Sequence, residues 1–175
     1  MKIKDMTLIA VMAALICIAG PMTVAVGPVP LSLATFAVML AGAVLGTKRG
    51  TAAVGLYLLI GIIGVPVFSG FSGGFQKLAG VTGGYLIGYL PCAFFSALGA
   101  EQGEKTGRKW ILPGMMVLGT AVLYTVGTAW FMIQTGNSLG GALGLCVLPF
   151  LPGDAAKIFA VAILSPMVKR AMHNA

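Results

Sequence analysis

Charge is what this sequence has least of. Only 9% of its 175 residues are Asp, Glu, Lys or Arg, and 58% are hydrophobic. Average soluble domains are about a quarter charged. No charged residue lies between Met6 and Thr47, and none between Trp110 and Gly153. Both runs exceed the ~20 residues that cross a bilayer, so a polytopic membrane protein is expected, with little chain left for a soluble domain. Histidine is nearly absent as well. The one present, His173, lies at the C-terminal end, which leaves no imidazole base for a hydrolytic triad. There is no H-E-x-x-H, no P-loop and no nucleotide-binding signature. The chain therefore reads as no enzyme, and it cannot drive an ATP-powered cycle by itself. Cys17, Cys92 and Cys146 each fall inside an apolar segment, in odd number and in no metal-ligand spacing. They are expected to be small packing residues, with no metal or cofactor site.

The charge that is present is placed unevenly. A net charge of +7 could suggest nucleic acid, but the bases fall in short clusters between apolar runs. Lys2 with Lys4, Lys48 with Arg49, Lys105 with Arg108 and Lys109, and Lys169 with Arg170 alternate with uncharged connectors, and together hold nine of the eleven bases. This is the positive-inside pattern of membrane topology. It predicts an all-α protein, a single membrane domain over residues 1–175. Six transmembrane helices are expected near 6–20, 31–46, 51–65, 81–100, 110–133 and from 152 to about 168, with both termini cytoplasmic. The start Met1-Lys2-Ile3-Lys4 has the look of a basic leader, but the segment after it reads as a retained first span.

Two bases stand apart from the clusters, Lys77 and Lys157, and Lys157 has an acid for company. In Pro152-Gly153-Asp154-Ala155-Ala156-Lys157, the proline suits a first helical turn, and residues i and i+3 share a face. Asp154 to Lys169 spans about 22 Å of helix at ~1.5 Å per residue, so the pair belongs in the outer part of the bilayer. Two readings fit: a salt bridge with Asp154 also serving free N–H groups at the helix start, or part of a ligand site, since ionisable groups at membrane depth face a cavity or each other. Other unusual features fall on the same side. Pro21 to Pro30 holds three prolines and a glycine, cannot be a continuous helix, and is expected as a lid or re-entrant loop. The loop Phe68 to Lys77 combines glycines with three aromatic rings that could face a ligand. Thr82 and Tyr85 offer hydroxyls beside Gly83 and Gly84, an adjacent pair costing roughly 1 kcal/mol each within a helix. Leu139 to Leu151 is apolar but too short to count as a span. On the opposite side, Glu101 and Glu104 are expected to form a solvated face of the connector 101–109. Ala10 and Ala14 make a small-xxx-small pair suited to close helix approach.

Four ordered stretches make the chain resemble a known family. They are Val29-Pro30-Leu31-Ser32-Leu33-Ala34-Thr35-Phe36, Gly64-Val65-Pro66-Val67-Phe68, Leu78 to Tyr89, and Leu151 to Lys157. The resemblance is to BioY, the biotin-binding subunit of energy-coupling-factor (ECF) vitamin transporters. Ala34 and Val81 depart from it, where the family often has Gln and Pro. The resemblance implies a multi-pass protein of a prokaryotic cytoplasmic membrane that binds biotin near the extracellular face. It implies as partners a transmembrane coupling subunit (EcfT) and two cytoplasmic ATPases, with Ala10 and Ala14 on the surface that meets the coupling subunit. Asp154 and Lys157 would hold biotin, Thr82, Gly83, Gly84 and Tyr85 would shape the wall, and the loop bearing Thr35 and Phe36 would close over it. Gln76 and Lys77 would also belong to the substrate site, with Lys77 drawing the carboxylate. The rival readings are a subunit for another vitamin, a stand-alone ion-coupled carrier using Asp154, and a structural scaffold.

Overall fold

A computed structural model describes residues 3–24 and 29–174. It contains helices α1 (Ile3–Ala19), α2 (Ala34–Ile62), α3 (Phe75–Ala79), α4 (Gly83–Thr106), α5 (Ile111–Thr135), α6 (Leu139–Cys146) and α7 (Leu151–Asn174). Strands β1 (Thr23–Val24) and β2 (Leu31–Ser32) pair antiparallel, with Thr23 opposite Ser32. This two-residue ladder is a local exception in a protein otherwise helical, as the sequence led one to expect. Its first strand lies in the proline-rich stretch expected to form a lid, and its second directly follows that stretch. Residues 25–28 of that stretch, Lys2 of the first basic cluster and the side chain of His173 lie outside what is described. The ladder has a physical cause: prolines forbid helix here, and backbone groups in an apolar setting must still find partners. Ser32 anchors the hairpin to the bundle. Its Oγ donates to the Gly20 carbonyl at 3.0 Å and accepts from the Ala34 N–H at 2.9 Å, where α2 begins.

The segments expected near 31–46 and 51–65 are the two arms of α2. The chain breaks helical geometry at Gly46, whose φ of +80° and ψ of 177° favour glycine. A Cβ built on Gly50 would lie 2.7 Å from the Gly42 Cα, whereas eight residues of straight helix separate such atoms by about 12 Å. Arms 34–45 and 47–62 therefore double back on each other. Glu101 secures the turn, accepting from both the Thr47 N–H and the Thr47 hydroxyl at 2.8 Å. Glu101 therefore departs from the solvated face expected of the connector 101–109, whereas Glu104 remains 64% exposed. The connector's first half continues α4 to Thr106, and its acids have partners: Glu101 on Thr47, and Glu104 on Lys169 at 2.6 Å. A helix that runs on past the apolar layer carries its charged side chains up to the neighbouring helix ends.

The core forms around α4, which packs on α5 and α2. Small residues permit the closeness: a Cβ on Gly42 would strike the Ala93 carbonyl, and one on Gly127 would strike the Tyr85 ring. Tyr57 sits edge-on to Phe68 at 5.5 Å. In its most apolar stretch α4 buries 67% of residues, against 17% for α7, so α4 is central and α7 peripheral. The outward side chains are nonetheless large and apolar, among them Val117, Ile133, Phe159 and Ile163. Such a surface needs lipid, not water, as its solvent. Among the described residues α4, α5 and α7 are each long and apolar enough to cross a membrane.

Candidate functional site

Three elements bring polar groups together beneath the hairpin: the start of α2, the middle of α5 and the first turn of α7. Pro152 opens α7 without loss of a helical hydrogen bond, and the following turn directs Asp154 and Lys157 inward. The Lys157 ammonium donates to the Ser32 carbonyl at 2.7 Å, to Thr35 Oγ1 at 2.8 Å and to Asp154 Oδ1 at 2.9 Å. Its three N–H groups thus meet three acceptors. Asp154 also accepts from the Thr35 hydroxyl at 3.4 Å and, through Oδ2, from the Tyr124 hydroxyl. The side chains of Lys157 and Asp154 are only 11% and 6% exposed. Opposite charges at this depth are tolerable because each offsets the other's lost hydration.

The cluster borders a cavity. Thr35, Lys77, Thr82, Tyr85, Asp154 and Lys157 all line it, as do Tyr89, Phe68 and Phe150. With its open mouth included, the empty space is about 600 Å3. Val29, Pro30 and Leu31 of the hairpin form one side. Asp154 and Lys157 thus form a salt bridge and also line a hollow. A carboxylate offers about four lone-pair sites, and three donors reach this one, so acceptor capacity remains.

Outward of this space lies a second hollow walled by Gln76, Lys77, Thr82 and Ser72. Lys77 and Thr82 border both, which puts Lys77 at the junction and Gln76 in the outer compartment alone. The turn that carries them is fixed from α5, where Trp130 Nε1 donates to the Gly80 carbonyl at 2.9 Å and Gln134 Nε2 to Ala79 at 2.7 Å.

Three of the candidate residues lie elsewhere. Gly83 and Gly84 are in neither hollow. A Cβ on Gly83 would strike the Leu78 carbonyl, and one on Gly84 the Trp130 side chain and the Val126 carbonyl. Their smallness serves the packing of α4, not the cavity wall. Phe36 is half-buried against the hydrophobic core and does not line the cavity, because it is one position round the helix from Thr35. Of the three rings in the glycine-rich loop, only Phe68 turns inward, while Phe71 and Phe75 are exposed.

Tyr124 was not among the candidates, nor were Ser32 and Tyr89. A signal for Tyr124 existed: Thr120, Tyr124 and Thr128 recur every four residues in an uncharged segment, which stacks their polar groups on one helix face. Thr120 and Thr128 are buried, and Thr128 Oγ1 lies 3.3 Å from the Tyr85 hydroxyl. Ser32 acts through its backbone carbonyl, for which side-chain identity is no guide. Ala10 and Ala14 both face outward from α1, while Ala13 is buried.

An apolar-surfaced helical bundle enclosing a polar, ion-paired cavity defines a solute-binding membrane protein. Comparison with known proteins gives the class a family. The family model described as "BioY family" matches residues 1–174. A probable biotin transporter BioY of Pyrococcus horikoshii is 38% identical over 94% of this chain and 96% of its own length. The biotin transporter BioY of Thermotoga maritima is 36% identical over 91% and 92%. The fold matches a crystal structure of the S-component for biotin from an ECF-type ABC transporter, with a TM-score of 0.86 and 29% identity, covering 96% of this chain and 92% of that one. The chain belongs to the BioY family.

Proposed function

We propose that this protein binds biotin in the cavity beneath the hairpin and serves uptake as the substrate-binding subunit of an ECF-type transporter. The observation that carries this reading is the Asp154–Lys157–Thr35–Tyr124 cluster on the wall of an otherwise apolar hollow, in a chain whose relatives are named biotin transporters. Biotin presents two ureido N–H donors and a carbonyl, an apolar ring and a carboxylate on a flexible arm. Asp154 accepts a ureido N–H. Lys157 donates to the ligand or holds Asp154 in place. Tyr85, Tyr89 and Phe68 supply flat apolar surface for the ring, and Lys77 draws the carboxylate toward the junction of the two hollows. The hairpin closes the site.

The doubled-back arms of α2 count as two crossings in this reading. With α1, α4, α5 and α7 they make six, and the basic clusters put both termini on the cytoplasmic side of the cell membrane. The outward-facing Ala10 and Ala14 suit close approach by a transmembrane coupling subunit. Two cytoplasmic ATPases acting through it supply the energy this chain cannot.

Biotin binding to purified protein tests the proposal. Asp154→Asn is expected to weaken it roughly tenfold or more, since a hydrogen bond to a charged group is worth about 1.5–3 kcal/mol. Thiamine and riboflavin should not compete. Unchanged affinity in both Asp154→Asn and Lys157→Ala would remove the pair from the site, and preference for another vitamin would reassign the substrate.

A further inference from the structure

A second groove lies at the end of the bundle remote from Asp154. It opens between the last turns of α4 and α7 and the first turn of α5. Its depth comes from small residues, Ala43, Ala100 and Gly103, and its floor and sides from Leu112, Pro166 and Met167. Three cations stand around it, Lys109, Lys169 and Arg170, with one acid, Glu104. Glu104 is already committed to Lys169 at 2.6 Å. Lys109 and Arg170 form no salt bridge among the described residues.

We propose that this groove binds an anionic phospholipid of the inner leaflet, with its phosphate between Lys109 and Arg170 and an acyl chain along the apolar wall. Charge complementarity selects the headgroup, since a groove with three cations and one acid retains positive potential after its internal pair forms. Basic pockets between membrane helices on the cytoplasmic side are suited to anionic headgroups. The apolar lining selects a lipid over a soluble phosphate, because a free anion would gain nothing from Leu112, Pro166 and Met167. Shape completes the argument: α7 is the least buried of the three long apolar helices, and a chain lying along it would fill space that protein leaves open.

Native mass spectrometry of the full-length chain in detergent tests this, with phosphatidylglycerol and phosphatidylcholine of the same acyl chains as probes. Wild type is expected to retain phosphatidylglycerol preferentially. Each removed charge should weaken retention roughly fivefold, the effect of one basic residue near an anionic headgroup, so Lys109→Gln with Arg170→Gln should nearly abolish the preference. Lys105→Gln with Arg108→Gln, on the same connector but outside the groove, should leave it intact. Equal retention of the two lipids by wild type would overturn the site. So would equal loss in the two double variants, which would reduce the groove to general surface charge. Displacement by millimolar inorganic phosphate would overturn the choice of lipid.

Discussion

Lys157 and Lys169 lie on the same helix, about 18 Å apart at ~1.5 Å per residue, and each pairs with a carboxylate. The resemblance ends there. Lys157 and Asp154 are 11% and 6% exposed, and every lysine N–H meets a protein acceptor. Lys169 and Glu104 are 24% and 64% exposed, with one contact between them. One pair is a fixed part of a cavity wall. The other is a link between helix ends that water and salt can replace. The same two chemical groups differ in what they do because their surroundings differ in how much hydration they deny.

The largest expected effect that separates the two ends is Lys157→Met. It leaves Asp154 as a buried, uncompensated carboxylate and should destabilise the fold by about 3–5 kcal/mol, read as a fall in the thermal unfolding midpoint in detergent. A midpoint close to wild type would mean that Asp154 is better hydrated than its burial implies. Tyr124→Phe removes one donor to that carboxylate while keeping the ring. The expected cost is about 1.5–3 kcal/mol, divided between stability and biotin affinity. If neither changes, Tyr124 is a bystander.

At the opposite end Gly46→Ala forces a Cβ into an extended positive-φ conformation that is essentially glycine's alone, beside the Glu101 carboxylate. It should cost about 1–3 kcal/mol, seen in thermal unfolding, with biotin affinity unchanged once folded. A loss of affinity would instead couple the turn to the cavity. The smallest effect is expected from Glu104→Gln, at most ~1 kcal/mol and erased by salt. A larger loss that persists in high salt would break the distinction between the two pairs.

The site was partly legible in the residues. Asp154 and Lys157 stand out because charge is scarce around them, and scarcity makes a membrane-depth ion visible in a plain sequence. Thr35, Thr82 and Tyr85 sit in stretches that also carry the family resemblance, Lys77 stands out as a base apart from the clusters, and the fold places all four on the cavity. Gly83 and Gly84 drew attention for a reason that was physical but ambiguous. A glycine pair in a helix signals close approach, and nothing local says whether a ligand or Trp130 is approaching. Tyr124 carried a periodic signal too faint beside the charged pair, and the Ser32 carbonyl carried none.

Apolar runs, basic clusters and prolines by themselves determined a helical membrane protein with its helix-breaking stretch between Pro21 and Pro30, because these properties act locally or through the solvent. Only the tertiary structure decided that the Gly46 turn is held by Glu101, that Lys157 reaches the Ser32 carbonyl of β2 and Thr35 of α2, and that Tyr124 reaches Asp154. Those contacts join residues 30 to 125 positions apart, and no local pattern encodes which distant partner a side chain will meet.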